Sequence, residues 1–450
     1  MPSTPRGCDT FVALGPATRD GYTIFAKNSD RPADESQPLE LHERSEHFSG
    51  ATLKTPFVEM PQARLTHRHI GSRPYWCWGY EHGFNEHQVV IGNEALQSRL
   101  RPTGPTLVGM DLVRLGLERG ATAAEAVEVI TTAVGEHGQG EFDHPGGHRT
   151  YDNGFIVADP REAYVIETAG HEWAVRNVAT HAAISNVYSI TGDWDRVSPG
   201  AAGIAAGIGW KGERLSFAEA FTEVDHLSGS GYLRRARSCG VLDRHERRID
   251  AEVMMALLSD HADGDSEPGG FVTDIDPGRG ICMHPVRGDG SSGNTAASLV
   301  ADLCEDGSRL PIYWTSMYSP CLGVFLPTFL QGDLPPALSL GCAEPSLASV
   351  WWTFHRLAQA VLEAPGNRAA EVRARWAGLQ SELLETAYPV AAKAARLLSG
   401  RRGREADLML TDYMATNLAA AVQTAETLLE SYSGELGQKA LSPAGTIPIS

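Results

Sequence analysis

Strand-like and helix-like patterns fall in separate blocks along this chain, and that segregation restricts it to an α+β layering. Short apolar runs punctuated by Gly, Pro and Asp dominate the first two thirds. Residues 9–14 and 22–27, separated by Gly15-Pro16 and Asp20-Gly21, predict a hairpin. The runs 154–158, 163–167, 172–176 and 181–189, with Asp159-Pro160 and Ala169-Gly170 at two of the turns, predict an antiparallel meander. Helices interrupt: Thr122-Ala-Ala-Glu125 matches a capping box for a helix to about Val134, and Leu107, Val108, Leu112, Val113 and Leu115 have helical spacing just before it. Near residue 345 the texture becomes helical. Ser346 is the expected cap of a helix to Glu363, followed by helices over 367–386, 389–400 and 405–431, broken by Pro365, Pro389, Gly400 and Gly403. Their apolar faces are expected to pack on the main domain or on another copy of the chain, leaving 436–450 as a flexible tail.

Cys8 opens the first strand-like run behind a short leader, Met1 to Gly7. Removal of the leader would turn it into a new N-terminus carrying both a thiol, with a pKa of about 8.5, and an α-amine, with a pKa of about 7.7–8.0, so nucleophile and base would share one residue. Gly7 suits such a junction, since glycine tolerates the strained backbone that self-cleavage requires. From position alone the plainer reading of Cys8, a buried thiol near a frayed terminus, takes precedence. In Ala26-Lys-Asn-Ser-Asp-Arg-Pro32, at the end of the second strand, hairpin pairing brings Lys27 or Asp30 near Cys8: Asp30 to hold a protonated amine, Lys27 to lower the thiol pKa. The alternative is an Asn-Ser-Asp turn with exposed charges.

Composition excludes several classes. The 450 residues suffice for one large domain with an appendage or for two domains, and 42% apolar content describes a globular chain. A formal net charge of −18 without a basic stripe opposes binding to nucleic acid or anionic lipid. The 7 cysteines are odd in number and lack CxxC spacing, which argues against a disulfide framework or a structural zinc site and suits a reducing cytoplasm. Residues near Met1 lack the charged and apolar regions expected of a signal peptide, and no apolar run approaches the length needed to cross a bilayer, so an intracellular protein is expected. His137, His144 and His148 have no metal-ligand spacing and are read as loop residues, His284 beside Cys282 as a core residue, and Trp76 and Trp78 as packing groups or pocket lining.

The segment Trp76-Cys-Trp-Gly-Tyr-Glu-His-Gly-Phe-Asn-Glu-His-Gln-Val-Val-Ile-Gly-Asn-Glu-Ala95, together with Cys-Asp-Thr-Phe at 8–11 and Lys-Asn-Ser-Asp-Arg-Pro at 27–32, resembles the secernin and dipeptidase A family of cysteine peptidases. Glu167-Thr-Ala-Gly-His-Glu-Trp173, Ile184-Ser-Asn186, Cys282-Met-His-Pro285, Asn294-Thr-Ala-Ala-Ser298 and Ser319-Pro-Cys-Leu-Gly-Val-Phe-Leu-Pro327 extend the resemblance over roughly residues 8–330. It implies a four-layer αββα N-terminal nucleophile hydrolase fold over 8–340, a leader at 1–7, a helical C-terminal region over 341–435, and hydrolysis of dipeptides or small amides without a cofactor or metal. Related penicillin V acylases and bile salt hydrolases use a Cys, an Arg and an Asp on the first hairpin, Asn residues and a later Arg. Cys8 and Asp30 fall on that pattern, and Lys27 stands where those acylases carry the hairpin Arg. The resemblance further assigns Asn93 as first oxyanion donor, Asn186 as the second Asn, and one Arg of 234–237, with Arg235 preferred and Arg237 next. Lys27 and Arg237 are expected to bind substrate. An acylase or acyltransferase, or a non-catalytic secernin-like regulatory protein, are the alternative functions. The expected partner is a small peptide or amide, with no nucleic acid or membrane and with homo-oligomerisation open.

Overall fold

The computed structural model describes residues 7–101, 104–223, 229–262, 280–284 and 293–440. The predicted leader through Arg6 and the predicted tail beyond Ala440 lie outside the described residues. Two sheets form the centre. In the first the strand order is β16 (His181–Ile184), β1 (Asp9–Ala13), β2 (Ile24–Pro32), β18 (Gly293–Asp302), β19 (Ile312–Met317) and β20 (Leu326–Thr328). In the second it is β17 (Arg196–Val197), β15 (Glu172–Asn177), β14 (Ala163–Ala169), β13 (Asp152–Ala158), β10 (Val90–Leu96), β9 (His82–Asn85), β8 (His69–Ser72) and β3 (Leu39–His42). Three two-stranded sheets pair β4 (Ser45–Glu46) with β7 (Leu65–Thr66), β5 (Thr52–Lys54) with β6 (Glu59–Pro61), and β11 (Glu141–His144) with β12 (Gly147–Thr150).

The sheets face each other, β1 lying against β10 and β13. Helices α1 (Gly109–Arg119) and α2 (Ala123–His137) cover the outer face of the second sheet, while α5 (Ser230–Arg244) and α6 (Ala251–Leu258) lie on the first, giving αββα layering. Shorter helices α3 (Ala201–Gly207) and α4 (Phe217–Phe221) precede α5. Every residue of β1 is buried, including Asp9 and Thr10, because the strand has a neighbour on either edge and layers on both faces. Among the described residues no helix is long and apolar enough to cross a membrane.

The hairpin β1–β2 pairs Asp9 with Asn28 and Ala13 with Ile24, as its sequence predicts. The meander holds for three strands only. The fourth run crosses to the other sheet, where β16 pairs with β1, Thr10 facing Ile184. Alternation of apolar residues specifies a strand but not which sheet edge receives it, and here the open edge of β1 does. Thr122 caps α2 as expected, accepting from the Glu125 N–H at 3.1 Å.

The C-terminal helices α7 (Val350–Glu363), α8 (Pro365–Ser399) and α9 (Gly403–Ala440) continue the outer layer of the first sheet. Ser349, rather than Ser346, caps α7. Pro389 does not end a helix: α8 runs through it as one 35-residue helix. An internal Pro costs about 3 kcal/mol, and docking overrides it. Trp351 Nε1 donates to Ala296 O at 2.8 Å and Tyr388 Oη to Asp302 Oδ2 at 2.9 Å, tying α7 and α8 to β18, and Trp376 Nε1 donates to Leu322 O at 2.8 Å in the 3-10 turn after β19.

Candidate active site

Cys8 precedes β1 and is 6% exposed. Antiparallel pairing of Asp9 with Asn28 carries Cys8 and Gly7 alongside the end of β2. The Asp30 N–H donates to Cys8 Sγ at 3.3 Å. The Asp30 side chain is held from the other edge of β2, where its Oδ1 accepts from Thr295 Oγ1 at 2.6 Å. Its Oδ2 is buried and has no hydrogen-bond partner among the described residues. Gly7, at φ +127°, fits against that oxygen: a Cβ there would collide with Asp30 Oδ2 and stand 3.1 Å from Met283 Cγ. The Gly7–Cys8 peptide bond therefore lies beside both a thiol and a carboxylate oxygen with no other claim on it.

Two buried cations flank this pair. The Lys27 side chain passes between the sheets over Gly92, where a Cβ would strike Lys27 Cδ. Its Nζ donates to Asn93 O at 2.6 Å and lies 3.8 Å from Glu81 and 3.7 Å from Glu94. Arg234 Nη1 donates to Cys8 O at 3.1 Å and to Asp9 Oδ2 at 2.5 Å, and its Nη2 donates to Asn186 Oδ1 at 2.8 Å.

The guanidinium at Cys8 is thus Arg234, not the expected Arg235. Helix α5 buries Gly231, Arg234, Ser238, Val241 and Leu242, a stripe at three- and four-residue spacing. Arg235 is rotated off that stripe and its Nε donates to Ala183 O at 3.2 Å. Arg237 is farther round, forming a fork to both oxygens of Asp260 at 2.7 and 3.0 Å. An Arg-Arg-Ala-Arg run alone does not reveal the phase of the helix.

Asn93 also departs from expectation. Along β10, Gly92 faces Lys27 and Glu94 faces Thr10, so Asn93 points to the opposite face, toward α1, with Met110 Sδ at 4.0 Å. Its carboxamide is committed there, with Nδ2 donating to Asn153 Oδ1 at 3.0 Å or, in the other amide orientation, to Glu81 O at 2.9 Å. Asn93 meets the site through its carbonyl on Lys27. Asn186 is at the site by its side chain, accepting from Arg234 and donating from Nδ2 to Ala95 O at 3.0 Å.

Burial pushes the Cys8 thiol pKa well above its ordinary value, with Lys27 opposing. Burial likewise raises Asp30 to about 7 against the Thr295 hydrogen bond and the Arg234 charge. Glu94 is raised by burial with Lys27 opposing. Burial works to lower the Lys27 pKa, but Cys8, Glu94 and Glu81 outweigh it, so the ammonium is held charged. Arg234 is held the same way, burial being outweighed by Asp9 and Asp30.

Asp9, Glu81, Glu94 and Thr295 are site groups that the sequence left without a role, and Arg234 is the member of the 234–237 run that was not preferred. Motif position offered a signal for most of them: Asp9 follows Cys8, Glu81 and Glu94 lie in the long 76–95 motif, and Thr295 lies in Asn294-Thr-Ala-Ala-Ser298. A second buried ionic group adjoins them, Arg31 pairing with Glu35 at 2.6 Å and with Glu81 at 2.9 Å. Glu35 is brought down to about 2 because Arg31 and His144 outweigh its burial. Trp76 donates to Glu35 at 2.8 Å and stacks on Phe142, and the Arg114 guanidinium lies 4.2 Å over Trp78. His144 and His148 sit on the β11–β12 hairpin rather than in a loop; His144 meets Glu35 at 2.8 Å and His148 meets Glu141 at 2.7 Å. Cys282 and His284 are buried, as expected of core residues, but they meet each other and a further Cys and His.

No model of a known protein family matches the chain. Among solved structures it is similar to two variants of a conjugated bile acid hydrolase from Clostridium perfringens, each at 15% identity over 69% of this chain and 89% of theirs, with TM-scores of 0.38 and 0.37. It is also similar to an N-acylethanolamine-hydrolyzing acid amidase ortholog from Caenorhabditis elegans, at 14% identity over 65% of this chain and 92% of that one, with a TM-score of 0.32. At that level of likeness, any functional reading rests on the chemistry around Cys8.

Proposed function

We propose that the chain is a cysteine N-terminal nucleophile hydrolase that cleaves small amides through a Cys8 thioester, after cleavage of the Gly7–Cys8 bond. The observation that carries the reading is Asp30: its N–H meets the thiol, and its Oδ2, unpartnered among the described residues, lies against Gly7, whose removal would expose the Cys8 α-ammonium. A buried carboxylate without a partner is costly, and a new N-terminus would supply one. Cleavage would begin with the Cys8 thiol attacking the Gly7 carbonyl, passing the leader from nitrogen to sulfur; water then releases it.

In the mature enzyme the α-amine takes the thiol proton, the thiolate attacks the substrate carbonyl, and the amine returns the proton to the leaving nitrogen. Water then cleaves the thioester and restores the thiol. The Lys27 ammonium stabilises the thiolate, and Arg234 fixes Cys8 through its carbonyl. Dipeptides are the substrates suggested by the sequence resemblance. A second reading, an acylase acting on amides without a free carboxylate, is favoured by one observation: Lys27 and Arg234 already face Glu81, Glu94 and Asp9, which leaves a substrate carboxylate little uncompensated positive charge.

Intact-mass measurement of purified wild type and Cys8→Ala tests the proposal. A wild-type chain beginning at Cys8 that hydrolyses a panel of dipeptides, dipeptide amides and N-acyl amides, beside an uncut and inactive Cys8→Ala, is the expected result. A full-length wild type with Cys8 unreactive toward every amide would overturn it.

A further inference from the structure

His261, Cys282, His284 and Cys321 are all buried, and one ligand atom from each lies within 4.8 Å of every other. Three chain segments supply them: the turn after α6, the stretch before β18, and the 3-10 turn after β19. His284 Nε2 lies 3.6 Å from Cys282 Sγ, 3.1 Å from Cys321 Sγ and 3.3 Å from His261 Nε2. A neutral imidazole nitrogen offers either one proton or one lone pair, so it can satisfy one of these three neighbours by hydrogen bonding and not all. One cation at the centre satisfies all of them. Zinc–sulfur and zinc–nitrogen bonds of about 2.3 and 2.0–2.1 Å in a tetrahedron set ligand separations of about 3.3 Å for N···N and about 3.5 Å for N···S; the N···N separation here is 3.3 Å and the two N···S separations from His284 are 3.6 and 3.1 Å, on either side of that value.

We propose that these four residues bind one Zn²⁺ in a closed tetrahedral Cys₂His₂ site. Binding converts two thiols to thiolates, releases two protons to solvent and leaves both histidines neutral, so the occupied cluster carries no net charge. The surrounding groups suit that role. His284 Nδ1 is 3.4 Å from Ser319 Oγ, whose hydroxyl donates to Asn294 Oδ1 at 3.0 Å, an outer relay that aims Nε2 inward. Four protein ligands leave no open position for substrate, so the ion is structural.

Its position couples it to Cys8. Met283, between two ligands, donates its N–H to Thr295 Oγ1 at 2.9 Å, and the same hydroxyl donates to Asp30 Oδ1 at 2.6 Å. Asp260, adjacent to His261, accepts the Ile281 and Cys282 N–H groups on its carbonyl and holds Arg237 of α5 with its carboxylate. The clip therefore fixes the backbone that places Asp30 and the helix that carries Arg234. The sequence conceals it, because His284 is 2 residues from Cys282, 23 from His261 and 37 from Cys321, a spacing unlike any zinc finger.

Elemental analysis of the full chain purified from zinc-supplemented medium without chelator is the primary test, with about one zinc per chain expected. Native mass should then exceed the apo mass by one zinc less two protons. Replacement by Co²⁺ should give the intense visible bands of tetrahedral cobalt and a thiolate-to-cobalt charge-transfer band. Cys282→Ser and Cys321→Ser should each lower zinc content at least tenfold, while Cys8→Ala retains it. Metal-free wild type, an octahedral cobalt spectrum, a Cys282–Cys321 disulfide in the native protein, or zinc lost with Cys8→Ala but kept in Cys321→Ser would each overturn the proposal. The wild-type stoichiometry and cobalt spectrum decide it even where a Ser variant does not fold.

Discussion

Asp30 donates its backbone N–H to the Cys8 sulfur and keeps one carboxylate oxygen buried, without a partner among the described residues, beside Gly7. Asp30→Asn preserves the N–H and an acceptor for Thr295 but removes the negative charge. In mature protein it is expected to lower kcat by about 10²–10⁴ and to shift the pH profile as the α-amine loses its counter-charge. Steady-state kinetics across pH decide this; an unchanged profile would remove Asp30 from the role.

The same carboxyl gives the uncut chain a pH signature. Burial raises its folded pKa from 3.8 to about 7, so the native state binds more protons than the unfolded chain between those values. Its stabilising contribution is complete below the unfolded pKa and is lost as pH rises through about 7. In an uncut Cys8→Ala background, Asp30→Asn should gain stability relative to Asp30 as pH rises from 4 to 7. Paired denaturant titrations measure that difference, and a constant or opposite difference would contradict the burial-raised pKa.

Gly7→Ala puts a Cβ at a positive φ and against Asp30 Oδ2. The backbone term alone costs about 1–2 kcal/mol, so the junction should shift away from the thiol. Release of the leader, followed by mass spectrometry over time, is expected to slow at least tenfold. Cleavage at the wild-type rate would show that the junction geometry does not matter.

Arg234 and Arg235 separate cleanly. Arg234→Ala leaves Asp9 buried without its cation and should cost about 3–5 kcal/mol, with activity lost. Arg235→Ala removes one bond to a carbonyl at a half-buried position and should cost about 1 kcal/mol with kcat nearly intact. Equal effects would mean that the phase of α5 is not as described.

Asn93→Ala and Asn186→Ala test which amide serves the chemistry. Asn93 faces α1, so its loss should lower stability by about 1–3 kcal/mol with kcat falling only severalfold. Asn186 holds the Arg234 fork, and its loss should act mainly on kcat. A 10²–10³-fold kcat loss in Asn93→Ala with unchanged Tm would restore it as an oxyanion donor.

The sequence by itself determined what depends on near neighbours in the chain. Hairpin spacing brought Asp30 and Lys27 to Cys8, alternation marked the strands of the sheets, and Thr122 announced the start of α2. Pairing along a hairpin is local, so these relations are legible without a fold. Only the tertiary structure decided the rest. Which Arg of 234–237 reaches Cys8 depends on the phase at which α5 meets β1 and β16, and which way Asn93 points depends on which face of β10 meets the first sheet. Whether Pro389 ends a helix was decided by the packing of α8 on the sheet and on α9. The Cys₂His₂ cluster is the extreme case: its members are far apart in sequence, and the convergence of α6, β18 and the end of β19 at one point creates the site.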